Sequence, residues 1–351
     1  MRRLMITGGA GFIGANFVHY WLKHHAQDLV LVLDKLTYAG NIENLEPVRK
    51  SPGFRFVQGD ICNFELVEYL LREYRIDTIV HFAAESHVDR SITGPDAFVQ
   101  ANILGTHSLL KAARAVWLKG DGIDHRFHHI STDEVYGSLG PDDPAFTEDT
   151  PYCPNSPYSA SKASSDHLVR AYGHTYGLDY TISNCSNNFG PYQFPEKLIP
   201  LAVINILSGR PIPVYGDGRN VRDWLYVEDH CVGLDLILQK AGPGGVYNIG
   251  GNNQWHNIDL IRLLCQVMDG FFAKDSGLKI RFPLSPCALG KPAETLITFV
   301  KDRPGHDRRY AIDASRIERE LGFHVQRDFP TALKGTVSWY LQNEGWWRRL
   351  L

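Results

Sequence analysis

Leu4-Met5-Ile6-Thr7-Gly8-Gly9-Ala10-Gly11-Phe12-Ile13-Gly14 decides how this chain folds. The first four residues read as a buried strand. Gly8, Gly11 and Gly14 read as a tight turn, and Phe17, Val18, Trp21 and Leu22 then recur at helical spacing. A glycine turn between strand and helix lets the backbone approach a pyrophosphate at the helix N-terminus. Phe12 and Ile13 sit inside that turn. A second apolar run, Leu29-Val30-Leu31-Val32-Leu33, ends in Asp34, twenty positions after Gly14. That spacing is expected of the carboxylate that binds adenosine ribose hydroxyls. The expected cofactor is NAD, because a 2′-phosphate near Asp34 would face like charge; the adjacent Lys35 softens that preference.

Outward from this point the chain keeps alternating. Strands are expected at 54–57, ending near Asp60-Ile61, at 78–84, at 127–130 and at 180–183, with helices at about 64–74, 97–117 and 156–176. Repeated β-α-β units predict an α/β fold: a Rossmann-type doubly wound parallel sheet, with ligands beyond the C-terminal strand ends. Gly11, Asp34, Asp60, Ala83-Ala84-Glu85 and Thr132-Asp133-Glu134 all fall at such ends. After about Asn187 the pattern becomes irregular, which predicts a smaller α/β substrate-binding domain. The expected division is 1–188 for the cofactor domain and 189–351 for the other, the chain returning to the first near 227–240. Residues 270–293 are expected to be loop and edge strand, and Trp346-Trp347 to pack the last helix.

The 351 residues carry a net charge of −3 with no block of like charges, so nothing points to nucleic acid or an anionic membrane surface. There is no apolar run long enough to span a bilayer and no signal-like segment before Gly8. The six cysteines are scattered and read as thiols of a reducing, cytoplasmic compartment. The histidines lack ligand spacing, so no metal is expected.

Two further stretches carry chemistry. Tyr158-Ser159-Ala160-Ser161-Lys162 places a phenol and an ammonium on one helix face, where the cation can lower the phenol's pKa and make it a base. Ser131-Thr132-Asp133-Glu134-Val135-Tyr136-Gly137 places two carboxyl groups side by side at a strand end. One can donate a proton while the other accepts one. Tyr158 with Lys162 suggests oxidation of an alcohol; the carboxyl pair adds loss of water. A plainer reading makes Asp133 and Glu134 a helix cap.

These motifs resemble the extended short-chain dehydrogenase/reductase superfamily and, within it, the dTDP-glucose 4,6-dehydratases. The narrower resemblance rests on 131–137, 83–91, Ser186-Asn187-Asn188, 195–200, 213–218, 222–229 and 303–310, which together span nearly the whole chain. The resemblance implies that Tyr158 takes the 4-hydroxyl proton, aided by Lys162 and Thr132. It further implies that Glu134 removes the C5 proton and Asp133 protonates the leaving 6-hydroxyl. It implies NAD contacts by Gly8, Gly11, Phe12, Ile13, Gly14, Asp34, Lys35, Asp60, Ile61, Ala83, Ala84, Ser86, Tyr158, Lys162 and Asn188. It implies contacts to a dTDP-sugar by Ser86, His87, Thr132, Asn187, Glu196, Lys197, Leu198, Pro213, Tyr215, Arg222, Asn257, Arg303 and His306, the arginines suiting a diphosphate. A homodimer joined through the helices near 97–117 and 156–176 is implied as well. Ala101 stands where the family usually has threonine, which removes a hydroxyl expected near the cofactor. A sugar-nucleotide 4-epimerase, or a dehydratase of a UDP- or GDP-linked sugar, is the alternative; Asp133-Glu134 argues against the epimerase.

Overall fold

The computed structural model describes residues 1–121, 124–302 and 305–351. Twelve strands occur among them: β1 (Arg3–Thr7), β2 (Leu29–Asp34), β3 (Phe54–Gln58), β4 (Thr78–His81), β5 (Arg126–Thr132), β6 (Tyr180–Cys185), β7 (Asn187–Phe189), β8 (Ile212–Tyr215), β9 (Val221–Tyr226), β10 (Gly245–Ile249), β11 (Gln254–His256) and β12 (Ile297–Val300). Seven of them form one sheet in the order β10-β6-β5-β4-β1-β2-β3, every pair parallel. Such strands must be apolar on both faces because helices cover both. Alternate residues of β1 obey this: Leu4 and Ile6 pack with Phe17 and Trp21 on one side, Met5 with Leu109 and Trp117 on the other. Between β1 and β4 the chain's direction of winding reverses, which opens the crevice where ligands of such sheets bind.

The rest forms smaller layers. Strands β11, β9 and β7 make one sheet and β12 pairs with β8, with helices Leu198–Ser208, Asn257–Lys274 and Phe329–Gln342 packed around Ile204, Leu264, Met268, Val337 and Tyr340. Helix Val227–Lys240 sends Cys231, Leu234, Ile237 and Leu238 into the core of the large sheet. The large-sheet core takes in more than this helix, because β10 lies beside β6 and Ile317, Leu321 and Phe323 pack there too.

Residues 270–293 differ from expectation. Helix Asn257–Lys274 runs straight through Gly270, a further short helix spans Gly277–Arg281, and the edge strand comes later as β12. A Cβ at Gly270 would meet nothing within 4 Å, so this glycine lies on an open helix face, where its cost of about 1 kcal/mol does not end the helix. Trp347 is buried, and Trp346 donates from Nε1 to Asn44 Oδ1 at 2.8 Å. Asn44 in turn donates to the Ala10 carbonyl at 2.8 Å, so the C-terminal segment is tied to the glycine turn.

Candidate active site

The strand ends converge on one cavity of about 440 Å³, within the usual range of roughly 300–1,000 Å³ for ligand sites. Its lining begins at the glycine turn. Gly8 has φ +71°, and a Cβ there would lie 2.6 Å from the Ala83 nitrogen; one at Gly14 would lie 2.3 Å from the Gly8 carbonyl. The turn closes only with glycine at both places. Gly14→Ala should therefore abolish stable cofactor retention, read as the fraction of purified protein carrying dinucleotide.

Asp34 is buried at the end of β2 and accepts from Ala10 N at 2.9 Å and Leu36 N at 2.8 Å. Lys35 is held by Asp60 at 2.8 Å instead of turning toward Asp34. That exposed pair is worth little in stability, but it engages the cation that weakened the case against a 2′-phosphate. The glycine cradle, the fixed carboxylate and the open strand ends fit NAD. Asn102, which carries no motif of its own, fixes the opposite wall. It accepts from Glu85 N at 2.8 Å and donates to Glu85 O and Ser161 Oγ at 3.0 and 2.8 Å. Its neighbour Ala101 lines the cavity with a methyl group.

Thr132, Asp133, Glu134, Tyr158 and Lys162, the five residues expected to react, meet in the same cavity. Ser156 caps helix Pro157–Tyr176 through a reciprocal bond with Ser159, which sets where Tyr158 and Lys162 emerge. Thr132 ends β5 and caps the following turn, accepting from Glu134 N at 3.3 Å, so the capping role falls to Thr132 and not to the carboxyl pair. Asp133 is buried, and its Oδ2 has no hydrogen-bond partner among the described residues. Burial first, then the neighbouring Glu134 and Asp223, push its carboxyl well above the ordinary range; Arg222 opposes this. Asp133 is thus biased toward its protonated form, the form a general acid needs.

Tyr158 corrects one expectation. Its phenol is pushed up, not down, by burial first and then by Glu134; the Thr132 hydroxyl hydrogen-bonds it and pulls the other way. Lys162 Nζ donates to the Ile130 carbonyl at 2.7 Å. The phenol and ammonium share a helix face, but the carboxylates beside the phenol are the nearer influence.

The substrate residues divide. Ser86, Thr132, Asn187, Glu196 and Lys197 line the cavity, Lys197 donating to Ser86 O at 3.2 Å. His87 stands just behind, 3.7 Å from Glu196, and Leu198 packs against the smaller core. Pro213, Tyr215, Arg222, Asn257 and His306 lie outside this cavity, in the smaller layers. There Tyr215 meets the His306 ring edge-on at 6.4 Å, and the Arg222 guanidinium lies 4.2 Å from the centre of the Tyr310 ring. Arg222 also donates to Asp307 O at 2.9 Å. This group is joined to the reactive one electrostatically, Arg222 acting on Asp133 and Glu134 on Tyr310. Arg303 lies outside the described residues. Among the described residues no cluster of histidine, cysteine and acid could hold a metal.

A fold with a dinucleotide cradle, a Tyr/Lys helix and an acid pair defines an oxidising dehydratase. The family described as GDP-mannose 4,6 dehydratase matches residues 5–336. The dTDP-glucose 4,6-dehydratase of Neisseria meningitidis serogroup B is 50% identical, covering 100% of this chain and 96% of its own. An Escherichia coli dTDP-glucose 4,6-dehydratase is 49% identical over 99% of this chain and 96% of its own. Among solved structures, the Streptomyces venezuelae dTDP-glucose 4,6-dehydratase with NAD bound superposes with TM-score 0.88 at 47% identity, covering 99% and 100% of the two chains. A Bacillus cereus UDP-glucuronic acid 4-epimerase shares the fold at TM-score 0.83 but only 26% identity, over 97% and 99%. The chain belongs to the dTDP-glucose 4,6-dehydratase family.

Proposed function

We propose that this protein converts dTDP-glucose to dTDP-4-keto-6-deoxyglucose, using Tyr158, Lys162, Thr132, Asp133 and Glu134. The observation that carries the reading is the burial of Asp133 beside Glu134, in the same cavity as Tyr158, which favours its protonated form. NAD, when bound, supplies a reversible acceptor for the hydrogen that leaves C4 and reaches C6. Tyr158 accepts the proton of the 4-hydroxyl, with Thr132 hydrogen-bonding the phenol oxygen. Lys162 supplies positive charge beneath it. The 4-ketone acidifies the C5 proton, which Glu134 removes, while Asp133 gives its proton to the departing 6-hydroxyl. Gly8, Gly14 and Asp34 hold the dinucleotide, and Ser86, Asn187, Glu196 and Lys197 face the sugar nucleotide. Arg222, Tyr215, Asn257, His306 and Arg303 bind its diphosphate and base.

The test is mass spectrometry of dTDP-glucose incubated with the protein in heavy water. A product lighter by one water and carrying solvent deuterium at C5 is expected. An unchanged mass with a new C4 epimer would overturn the reading in favour of the epimerase chemistry of its more distant structural neighbours.

A homodimer is the proposed assembly. Val99, Leu104 and Tyr176 are exposed apolar residues on the two helical stretches 96–121 and 157–176, which suits a face covered by a second copy. Leu104→Arg should shift the protein to monomer in light scattering while leaving its fold intact by circular dichroism. The proposed compartment is the cytoplasm; no helix among the described residues is long and apolar enough to cross a membrane.

A further inference from the structure

On helix Pro157–Tyr176, Asp166 follows Lys162 by four residues, as Lys162 follows Tyr158, so all three share one face. The face is sealed: Asp166 is 0% and Lys162 4% exposed. A buried ammonium needs a counter-charge, because an unpaired one is costly to hold. Four groups surround it: Asp166 from its own helix, His129 from β5, His81 from β4 and Cys185 from β6. Burial favours the uncharged form of three of them. It holds His81 well below its ordinary range, lowers His129 to about 4 and raises Cys185 to about 12. Asp166 is the exception. Burial alone would raise its carboxyl, but His129, Lys162 and Ser131 together bring it below the ordinary value. The geometry is continuous. Ser131 Oγ donates to Asp166 Oδ2 at 2.7 Å, Asp166 Oδ1 lies 3.1 Å from His129 Nε2, and that nitrogen lies 3.5 Å from Lys162 Nζ.

We infer that Asp166 is the buried counter-ion of Lys162, with His129 packed between them, and that it positions and keeps charged the ammonium beneath Tyr158. Asp166 touches neither substrate nor cofactor; it is a positioning residue. The inference rests on the roles proposed above for Tyr158 and Lys162.

The test compares Asp166→Asn and Asp166→Glu with the parent holoenzyme across pH. In Asp166→Asn, kcat should fall by up to about 10²-fold, with KM for dTDP-glucose little changed. The limb of kcat set by the ionisation of Lys162 should move down by roughly one pH unit or more, since a nearby opposite charge is worth about that. Asp166→Glu should return the limb toward the parent. Independently of turnover, the ¹³Cε resonance of Lys162, assigned with Lys162→Arg, should titrate at lower pH in Asp166→Asn. Should Asp166→Asn fail to fold, His129→Gln breaks the same link and should show both shifts. An unmoved limb and resonance in the folded variant would overturn the inference. A moved resonance with unaffected turnover would uphold the ion pair and instead overturn the role given to Lys162.

Discussion

Tyr158→Phe should lower kcat by roughly 10²–10⁴-fold, the usual loss when a positioned acid–base group is removed. The fold should survive, because the ring keeps its place against Phe98, 6.3 Å away edge-on, and only a hydroxyl is lost. KM for the sugar nucleotide should change little, since the phenol acts on the transferred proton more than on the bound ground state. The pH profile sharpens the test. Burial and Glu134 raise the phenol, so in the parent kcat should rise with pH as Tyr158 becomes able to take a proton. In Tyr158→Phe the residual rate should be flat across the rising limb. A rising limb that persists with the phenol gone would assign the base elsewhere.

The residues that made the fold legible are those whose constraint is local. Gly8 is required by its positive φ and Gly14 by the nearby Gly8 carbonyl, and Asp34 is fixed by Leu36 two residues on and by Ala10 in the glycine turn. Such requirements leave a mark at fixed spacing, and a parallel sheet containing six of the seven observed strands followed from the β-α-β pattern around them. The smaller layers are held differently. The place of β10 depends on its register with β6, some sixty residues earlier, and nothing in Val246-Tyr247-Asn248 records it. Gly270 reads as a breaker although the helix carries it on an open face. Within the site, the Tyr158/Lys162 spacing was readable, but the direction in which the phenol's pKa moves was not. That direction depends on carboxylates brought in from the end of β5. Asp166 repeats the same four-residue step and could have been noticed, but its role is visible only once His129 is seen beside it.

Asp133→Asn combined with Glu134→Gln should stop the reaction after its first step. Tyr158 and Lys162 remain, so the alcohol can still be oxidised, but neither the C5 proton nor the 6-hydroxyl has a partner. Quenched samples should yield a 4-ketone lighter than substrate by two hydrogens, with dehydrated product reduced by at least about 10²-fold. Full dehydration by the double variant would refute the roles of both carboxyl groups. Asp133→Asn alone should also reveal what the acid costs the fold. Its folded carboxyl is raised well above the unfolded value by burial and by Glu134 and Asp223. The sign follows: below about pH 4 the group is neutral in both states and contributes nothing unfavourable. Above that, the unfolded chain ionises while the folded one resists, so stability drains away as pH rises toward the folded pKa. Asparagine cannot ionise. The variant's Tm should therefore match the parent's near pH 4 and exceed it at pH 7 to 8. The gain is roughly 1.4 kcal/mol of stability for each tenfold by which burial had tightened the carboxyl's hold on its proton. A Tm gain that grows with pH, paired with lost dehydration, would show that the carboxyl is retained for its proton and at the expense of the fold. An equal loss of Tm at every pH would mean that Asp133 serves packing, and the acid of the reaction would have to be sought among its neighbours.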